Sequence, residues 1–286
     1  MARGLFSGRQ KDCVMDREIV IRLCFFFVIF AIMTTWEILS PRRMLTVSKR
    51  NRWLTNLVLL SFNPILVYLV FPLLPVSMSI LAEQRHWGLL NNIGPLPCLL
   101  RVVAGMMVLD FAIYLQHVLH HAVPILWRLH MVHHSDLDFD VTTGLRFHPL
   151  EIVVSMGIKL MTVTVFGPPA LAVLIFEVAL NSTSMFNHSN VFLPSKIDRV
   201  LRLLVVTPEM HRVHHSVIIR ETNSNFGFSF PWWDRLLGTY RDQPSNGHEG
   251  MTIGVSHIRD SRRLTLPRLI VMPFVDDPGA VPINRH

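Results

Sequence analysis

The composition of this 286-residue chain points to a membrane and excludes several common classes of protein. Half of the residues are hydrophobic, only 16% are charged, and the mean hydropathy is +0.38, above that of an ordinary soluble domain. Three Cys are too few for a disulfide-stabilised scaffold. The net charge of +7 does not indicate nucleic-acid binding, because the basic residues flank apolar segments and are not interleaved with aromatic residues.

The first apolar segment follows a charged leader, residues 1–18, and runs from Ile19 to Ser40. At about 1.5 Å per residue this segment spans roughly 33 Å, which is enough to cross a bilayer. We interpret it as a retained helix and not as a cleaved signal peptide, because the leader is long and Pro41-Arg42-Arg43 follows in place of small residues.

Two more apolar segments complete a transmembrane region over residues 19–116. The second extends from Leu54 to Ala82 and contains Pro64, Pro72 and Pro75, which kink a helix or end it early. The third runs from about residue 96 to residue 116.

A helical hairpin is predicted near residues 152–186. Its two arms, 152–166 and 170–186, are separated by Gly167-Pro168-Pro169, which is a turn signal, and each arm is short for a complete span. Lys159 lies in the middle of the first arm, where a Lys costs about 2.5–3.5 kcal/mol at a bilayer centre. We therefore expect Lys159 to face protein, to reach an interface, or to lie in a shallow re-entrant arm.

Loop charges predict the orientation in the membrane. Residues 41–53 carry five basic residues and residues 83–97 carry one, which places the former loop in the cytosol. The third helix then brings the chain after Gln116 to the cytosol, where the polar segment from Lys196, with 12 Lys and Arg, forms a cap that ends in a tail of residues 241–286. The basic leader opposes this arrangement, so the orientation of the N-terminus stays open.

Histidine is the second anomaly, since nine of the 15 His residues fall in two short windows. The first window holds His117-x-x-x-His121 and His130-x-x-His133-His134, and the second repeats the latter pattern over residues 211–215. Residues at i, i+3 and i+4 share one face of a helix, so each box is predicted to point one way. Imidazole suits Fe, Zn, Cu and Ni, and one helical pair cannot complete a coordination sphere. The eight imidazoles of the three boxes exceed what one metal needs and predict two.

These boxes resemble the fatty acid hydroxylase/sterol desaturase superfamily of integral-membrane, non-haem di-iron enzymes. The resemblance covers about Asp110 to Tyr240 and includes Thr143-Gly-Leu-Arg-Phe-His-Pro-Leu-Glu151 and Trp233-Asp-Arg-Leu-Leu-Gly-Thr-Tyr240 outside the boxes. It implies a fatty acid hydroxylase-like domain over residues 110–240 with nine iron ligands. They are His117, His121, His130, His133, His134, His188, His211, His214 and His215.

Three further residues are candidates around the metals. His120 is an additional His inside the first box, and His148 stands in Arg-Phe-His-Pro, where it is a candidate for an outer partner or a ligand. Asp110 precedes His117 by two helical turns, and metal-bound imidazoles commonly donate their second N–H to a carboxylate. Val118 stands where the family often has Arg, which removes a charge near the metals and leaves the ligand pattern intact.

The resemblance implies two non-haem irons and O2, because attack on an unactivated C–H bond is beyond side-chain acid–base catalysis. The chain contains no Cys-x-x-Cys, Gly-x-Gly-x-x-Gly or His-Pro-Gly-Gly motif, so a separate reductase or electron carrier is expected. The basic cap is a candidate docking face for an acidic carrier, and binding to anionic lipid headgroups explains the same charge.

Together these features predict an all-α, integral-membrane helical bundle with a cytosolic, histidine-rich di-metal cap. The predicted function is a monooxygenase that hydroxylates or desaturates a sterol, fatty acyl or related lipid. An ether-lipid or carotenoid monooxygenase of the same superfamily is an alternative, because the boxes leave the substrate open. A membrane metal-binding or transport protein would carry its ligands within the spans, whereas these boxes lie at or beyond helix ends. A degenerate scaffold is opposed by the presence of all nine His residues.

Overall fold

The chain folds into helices throughout the described part. The computed structural model describes residues 8–281, with side chains from residue 17 onward, and this range contains no β-strand and only two isolated β-bridges. Residues 1–7 of the predicted leader and residues 282–286 of the predicted tail lie outside the described residues. The predicted all-α class is confirmed.

The α-helices of the described residues are α1 (Gly8–Leu39), α2 (Lys49–Val70), α3 (Pro75–Gln84), α4 (Cys98–Ala122), α5 (Pro124–His134), α6 (Pro149–Phe166), α7 (Ala170–Asn187), α8 (Ser195–Leu201), α9 (Pro208–His214), α10 (Ile219–Thr222), α11 (Trp232–Leu237), α12 (Gly247–Gly250) and α13 (Leu266–Val275).

Five helical stretches are long and apolar enough to cross a membrane, which fits a multi-pass membrane protein. They are Arg17–Leu39, Lys49–Gln84, Cys98–Ala122, Pro149–Phe166 and Ala170–Asn187. Pro64 stays inside α2, whereas Pro75 takes the first turn of α3 after a break at residues 71–74. A Pro suits that position because the N–H that it lacks would have no helical partner there.

The predicted hairpin region forms α6 and α7, and each has 18 residues, so neither is too short to span. Gly167 ends α6 with φ of 62°, a left-handed conformation that a residue with a Cβ rarely adopts. A Cβ here would also lie 2.7 Å from the carbonyl oxygen of Trp87, so this turn packs closely against the loop after α3.

Lys159 faces protein, which is one of the three outcomes expected for it. Its side chain is mostly buried, and Nζ lies 2.9 Å from Oε1 of Glu177 on α7. The ion pair joins the two hairpin helices and removes the need for the ammonium group to reach water.

The basic loop before α2 lies at the same end of the bundle as the histidine boxes. The guanidinium of Arg52 lies 2.7 Å from Asp136 and 2.7 Å from Asp140, and all three side chains are buried. Asp138 accepts hydrogen bonds from the backbone N–H groups of Thr46 and Val47. These contacts tie α2 and the loop before it to the segment that follows α5.

The segment after Tyr240 is folded onto this end of the bundle. Leu269 and Met272 of α13 share a core with Leu59 of α2 and with Trp127 and Met131 of α5. The indole N–H of the fully buried Trp127 donates to the carbonyl oxygen of Pro278 at 2.8 Å. This packing fixes the base of α5, the helix that carries the second box.

Candidate metal centre

The nine histidines predicted as ligands, eight from the boxes and His188 from the family resemblance, converge at one end of the bundle in two buried groups. Within each group the candidate ligand atoms all lie within 4.8 Å of one another. The five-His group consists of His117, His121, His130, His134 and His214, and the four-His group consists of His133, His188, His211 and His215.

Each His-x-x-His-His box contributes to both groups. Of the box on α5, the i, i+4 pair His130 and His134 enters the five-His group while His133 enters the other. The box on α9 does the reverse, since His211 and His215 enter the four-His group and His214 enters the five-His group. The expectation that each box points one way is therefore too simple, because its face is divided between two adjacent groups.

The distances between the ring nitrogens of a group would allow these nitrogens to bind one metal ion together. The Nε2 atoms of His117 and His130 are 3.1 Å apart. In the four-His group, Nε2 of His188 lies 3.1 Å from Nε2 of His133 and 3.0 Å from Nε2 of His211. Two nitrogens bound at about 2.1 Å from one metal, roughly at right or tetrahedral angles, are about 3.0–3.4 Å apart.

Outer hydrogen bonds orient several of the rings through Nδ1. The acceptors for His117, His188 and His214 are the backbone carbonyls of Phe226 at 2.8 Å, Ser184 at 2.8 Å and Ser224 at 2.7 Å, respectively. His121 bonds to Oδ1 of Asn223 at 3.1 Å, and His130 bonds to Oε1 of Glu151 at 2.6 Å. An imidazole that donates from Nδ1 presents the lone pair of Nε2 to a metal.

Several inner nitrogens have no partner among the described residues, although they are buried. They include Nε2 of His121 and of His214 and both ring nitrogens of His134 and His215. A buried polar atom without a partner costs about 1–3 kcal/mol, so a cluster of them calls for an occupant. Burial lowers the pKa of His134 and of His215 well below the usual value, and nearby His residues lower them further, which favours the neutral form that binds a metal. The donor set therefore fits two metal ions.

The three residues predicted to lie around the metals have different surroundings. His120 lies near the five-His group, with Nδ1 bonded to the carbonyl of Gln116 and Nε2 4.0 Å from Glu151. Both ring nitrogens of His148 bond to backbone, to the N–H of Leu150 and the carbonyl of Ile270, and His148 belongs to neither group. Asp110 accepts from the indole N–H of Trp233 at 2.8 Å, and within the described residues its carboxylate bonds to no His ring.

Sequence reasoning missed two carboxylates that position ligands. Glu151 contacts His130 directly. Asp234 accepts from the backbone N–H groups of Phe226 and Gly227, at 2.8 and 2.7 Å, and so fixes the carbonyl that orients His117. Both acids lie in the sequence motifs that carry the family resemblance, and their place in these motifs could have identified them as candidates.

A cavity of about 280 Å³ opens beside the five-His group, between α4, α6 and α7. Its lining combines His117, His130 and Glu151 with the apolar residues Ile113 and Met156. A space that is largely apolar and adjoins buried metal ligands suits a lipophilic ligand.

Comparison with known proteins identifies the class to which this fold and centre belong. A sequence model described as fatty acid hydroxylase matches residues 102–239, which include all nine of these His residues. The fold and site define a helical membrane protein with a buried all-histidine centre. Residues 102–239 of the chain are similar to the fatty acid hydroxylase family.

Three relatives illustrate the range of the family. Ornithine lipid hydroxylase OlsE of Rhizobium tropici is 31% identical over 148 residues, which cover 52% of this chain and 44% of that protein. Human alkylglycerol monooxygenase is 29% identical over 54% of this chain and 33% of its own length. Human cholesterol 25-hydroxylase is 30% identical over 61% of this chain and 62% of its own. The chain thus spans less than two thirds of each of these relatives, and no solved structure matches it significantly.

Proposed function

We propose that the protein is a membrane-bound, non-haem di-iron monooxygenase that hydroxylates or desaturates a lipophilic substrate. The observation that carries this proposal is the division of nine buried His residues into two adjacent groups beside a largely apolar cavity. The relatives named as lipid hydroxylases and monooxygenases support the same reaction class.

The nine His residues are proposed as the ligands, with one iron in each group. Bound iron would supply the O2-derived oxidant that attacks an unactivated C–H bond. The chain's own residues hold the rings in place, since Glu151 and the carbonyl of Phe226 bond to the outer nitrogens of His130 and His117. His120 is proposed as an outer-shell residue because it faces the cavity without joining either group.

The cavity walls would orient the lipid and exclude bulk water. Ile113 on α4 and Met156 on α6 line the space on the membrane side of the His residues. A substrate that enters from the bilayer can therefore bring one carbon to the five-His group while the rest of it stays in an apolar environment. Hydroxylation and desaturation share the first C–H abstraction, so this arrangement serves either outcome.

The electron donor is proposed to be a separate reductase or carrier that meets the histidine-rich end in the cytosol. The sequence contains no motif for a cluster, flavin or haem domain of its own. Either a bacterial inner membrane or a eukaryotic endomembrane provides this orientation. Residues 110–240 are proposed as the catalytic domain, close to the region that the family model matches.

Ether-lipid oxidation is the second candidate, and the likeness to alkylglycerol monooxygenase favours it. Metal transport is disfavoured, because the two groups lie at one end of the bundle and are not distributed along the spans.

Oxygen labelling tests the proposal. The purified, iron-loaded protein in nanodiscs would receive a membrane lipid extract, a chemical reductant and ¹⁸O2, and lipids would be analysed by mass spectrometry. We expect a lipid product that gains one ¹⁸O atom or loses two hydrogens, and His133→Ala should abolish it. No change in any lipid under conditions that preserve both metals would contradict the proposal.

A further inference from the structure

The cavity extends away from the five-His group to a second set of polar residues that the proposed chemistry does not use. On α6 it is lined by Glu151, Ser155 and Lys159, which are spaced at i, i+4 and i+8 and so lie along one face of the helix. Eight residues correspond to a rise of about 12 Å, so the far end lies about 12 Å from the carboxyl group that contacts His130. We call Arg22, Asn63, Lys159 and Glu177 the inner polar cluster.

The charges of the inner polar cluster are balanced once Glu18, which pairs with Arg22 from outside the cluster, is counted with them. Glu177 contacts both Lys159, at 2.9 Å, and the guanidinium of Arg22, and Arg22 also lies 2.9 Å from Glu18. Two cationic and two anionic side chains leave no net positive charge to attract an anion. A phosphate or carboxylate placed here would add a negative charge next to Glu177.

Asn63 supplies the second, independent observation. This residue of α2 is 5% exposed and lines the cavity, and its carboxamide oxygen has no hydrogen-bond partner within the described residues. A buried acceptor without a partner is costly, and only a hydrogen-bond donor relieves that cost. Oε1 of Gln116, which also lines the cavity, is a buried acceptor in the same condition.

We propose that the inner polar cluster binds an uncharged hydrogen-bond donor of the substrate, a hydroxyl or amide group, so that its carbon chain runs to the five-His group. This assignment rests on the proposed function and names the substrate class. A hydroxyl donates to Oδ1 of Asn63 and accepts from Nζ of Lys159, which has donors beyond the one used by Glu177. A pure hydrocarbon leaves Asn63 unpaired, and the oxidised carbon lies about 12 Å from the polar group.

The competing explanation is that the cluster only holds α1, α6 and α7 together while water occupies the cavity. It predicts no preference among ligands of equal length. The two explanations can therefore be separated by comparing how tightly such ligands bind to the unmodified protein, without measuring turnover.

The experiment measures binding of radiolabelled octadecan-1-ol to the full-length, metal-loaded protein in nanodiscs without reductant. Unlabelled octadecan-1-ol, octadecyl methyl ether, octadecane and octadecanoate compete. We expect the alcohol to bind about tenfold or more tightly than the ether, which cannot donate, and than the alkane and the carboxylate. Equal competition by all four probes would overturn the proposal.

Two variants sharpen the result. Asn63→Leu should weaken binding of the alcohol about tenfold and leave binding of the ether and alkane unchanged. Thr164→Val is the control, because it removes a hydroxyl from a spanning helix where that hydroxyl bonds to its own helix at the carbonyl of Leu160. A preference for the alcohol that survives Asn63→Leu would contradict the role given to Asn63.

The inference and the proposed function fail separately. Oxygen transfer to a lipid together with equal binding of the four probes would refute only the inner polar cluster. Tight and selective alcohol binding by a protein that holds two metals and oxidises no lipid would refute only the oxygenase.

Discussion

Glu151 is expected to control the affinity of one metal and not of the other. Its Oε1 lies 2.6 Å from Nδ1 of His130, and both side chains are buried. A hydrogen bond to a charged group contributes about 1.5–3 kcal/mol, and loss of an outer partner of a metal-bound His typically lowers metal affinity about 10- to 100-fold. Glu151→Leu should therefore weaken the metal of the five-His group about 10- to 100-fold, while Glu151→Gln, which keeps an acceptor oxygen, should have a smaller effect.

The assay is equilibrium dialysis against a graded series of chelator concentrations, followed by elemental analysis. In an intermediate range, Glu151→Leu should retain one metal per chain where the unmodified protein retains two. Glu83→Leu is the control, because it removes an exposed carboxylate from α3, at the end of the bundle away from the His groups. Equal loss of both metals, or no loss, would refute the independence of the two groups and the role of Glu151.

Four further changes test other parts of the site. His133→Ala should abolish lipid oxidation and lower the metal content, measured by elemental analysis, from two toward one per chain. His248→Ala should retain both metals, because Nε2 of His248 lies 2.8 Å from Glu209 and His248 belongs to neither group. Burial raises the pKa of Glu209, but His248, Arg212 and Arg42 outweigh it and hold that pKa below the usual 4.5. This carboxylate therefore stabilises the fold fully above about pH 4.5 and progressively less as the pH falls toward its lowered pKa, so the deficit in thermal midpoint that Glu209→Gln shows at pH 7 should shrink steadily below pH 4.5. Arg52→Met should reduce stability by about 3–5 kcal/mol in urea titrations, because Asp136 would remain buried without its partner.

Each of these results has a contrary outcome. If His133→Ala retained two metals per chain, His133 would not be a ligand. If His248→Ala lost metal, the metal centre would extend toward Glu209. If the difference in thermal midpoint between Glu209→Gln and the unmodified protein did not change with pH, the ion pairs of Glu209 would not be the source of its stabilisation. Unchanged stability of Arg52→Met would show that the Asp136 pair does not hold α2 to the segment that follows α5.

The eight box histidines were predictable because metal ligation needs fixed residue types at helical spacing, and a His at i, i+3 or i+4 is visible in the sequence. His188 has no such neighbour and was predicted only from the family resemblance, and all nine candidates lie in the two groups. The sequence did not predict that each box is divided between the groups, because this depends on how α5 and α9 are rotated against each other. The spacing of residues along one helix does not show how that helix is rotated against another helix.

The outer partners were less predictable for the same reason. Asp110 matched the expected offset from His117, yet its carboxylate bonds to Trp233, and the partner of His117 is a backbone carbonyl, which any residue can supply. Lys159 could be predicted to need a partner, but Glu177 lies on another helix and is brought near by the turn at Gly167. Long-range pairs of this kind follow from packing, not from local pattern.

The most direct test of the central claim is the identity and number of metals in the protein. The chain would be purified without chelators from iron-supplemented cells and analysed for all transition metals. The account predicts close to two irons per chain, one for each histidine group. A single zinc, or no metal after reconstitution with iron, would contradict a di-iron oxygenase.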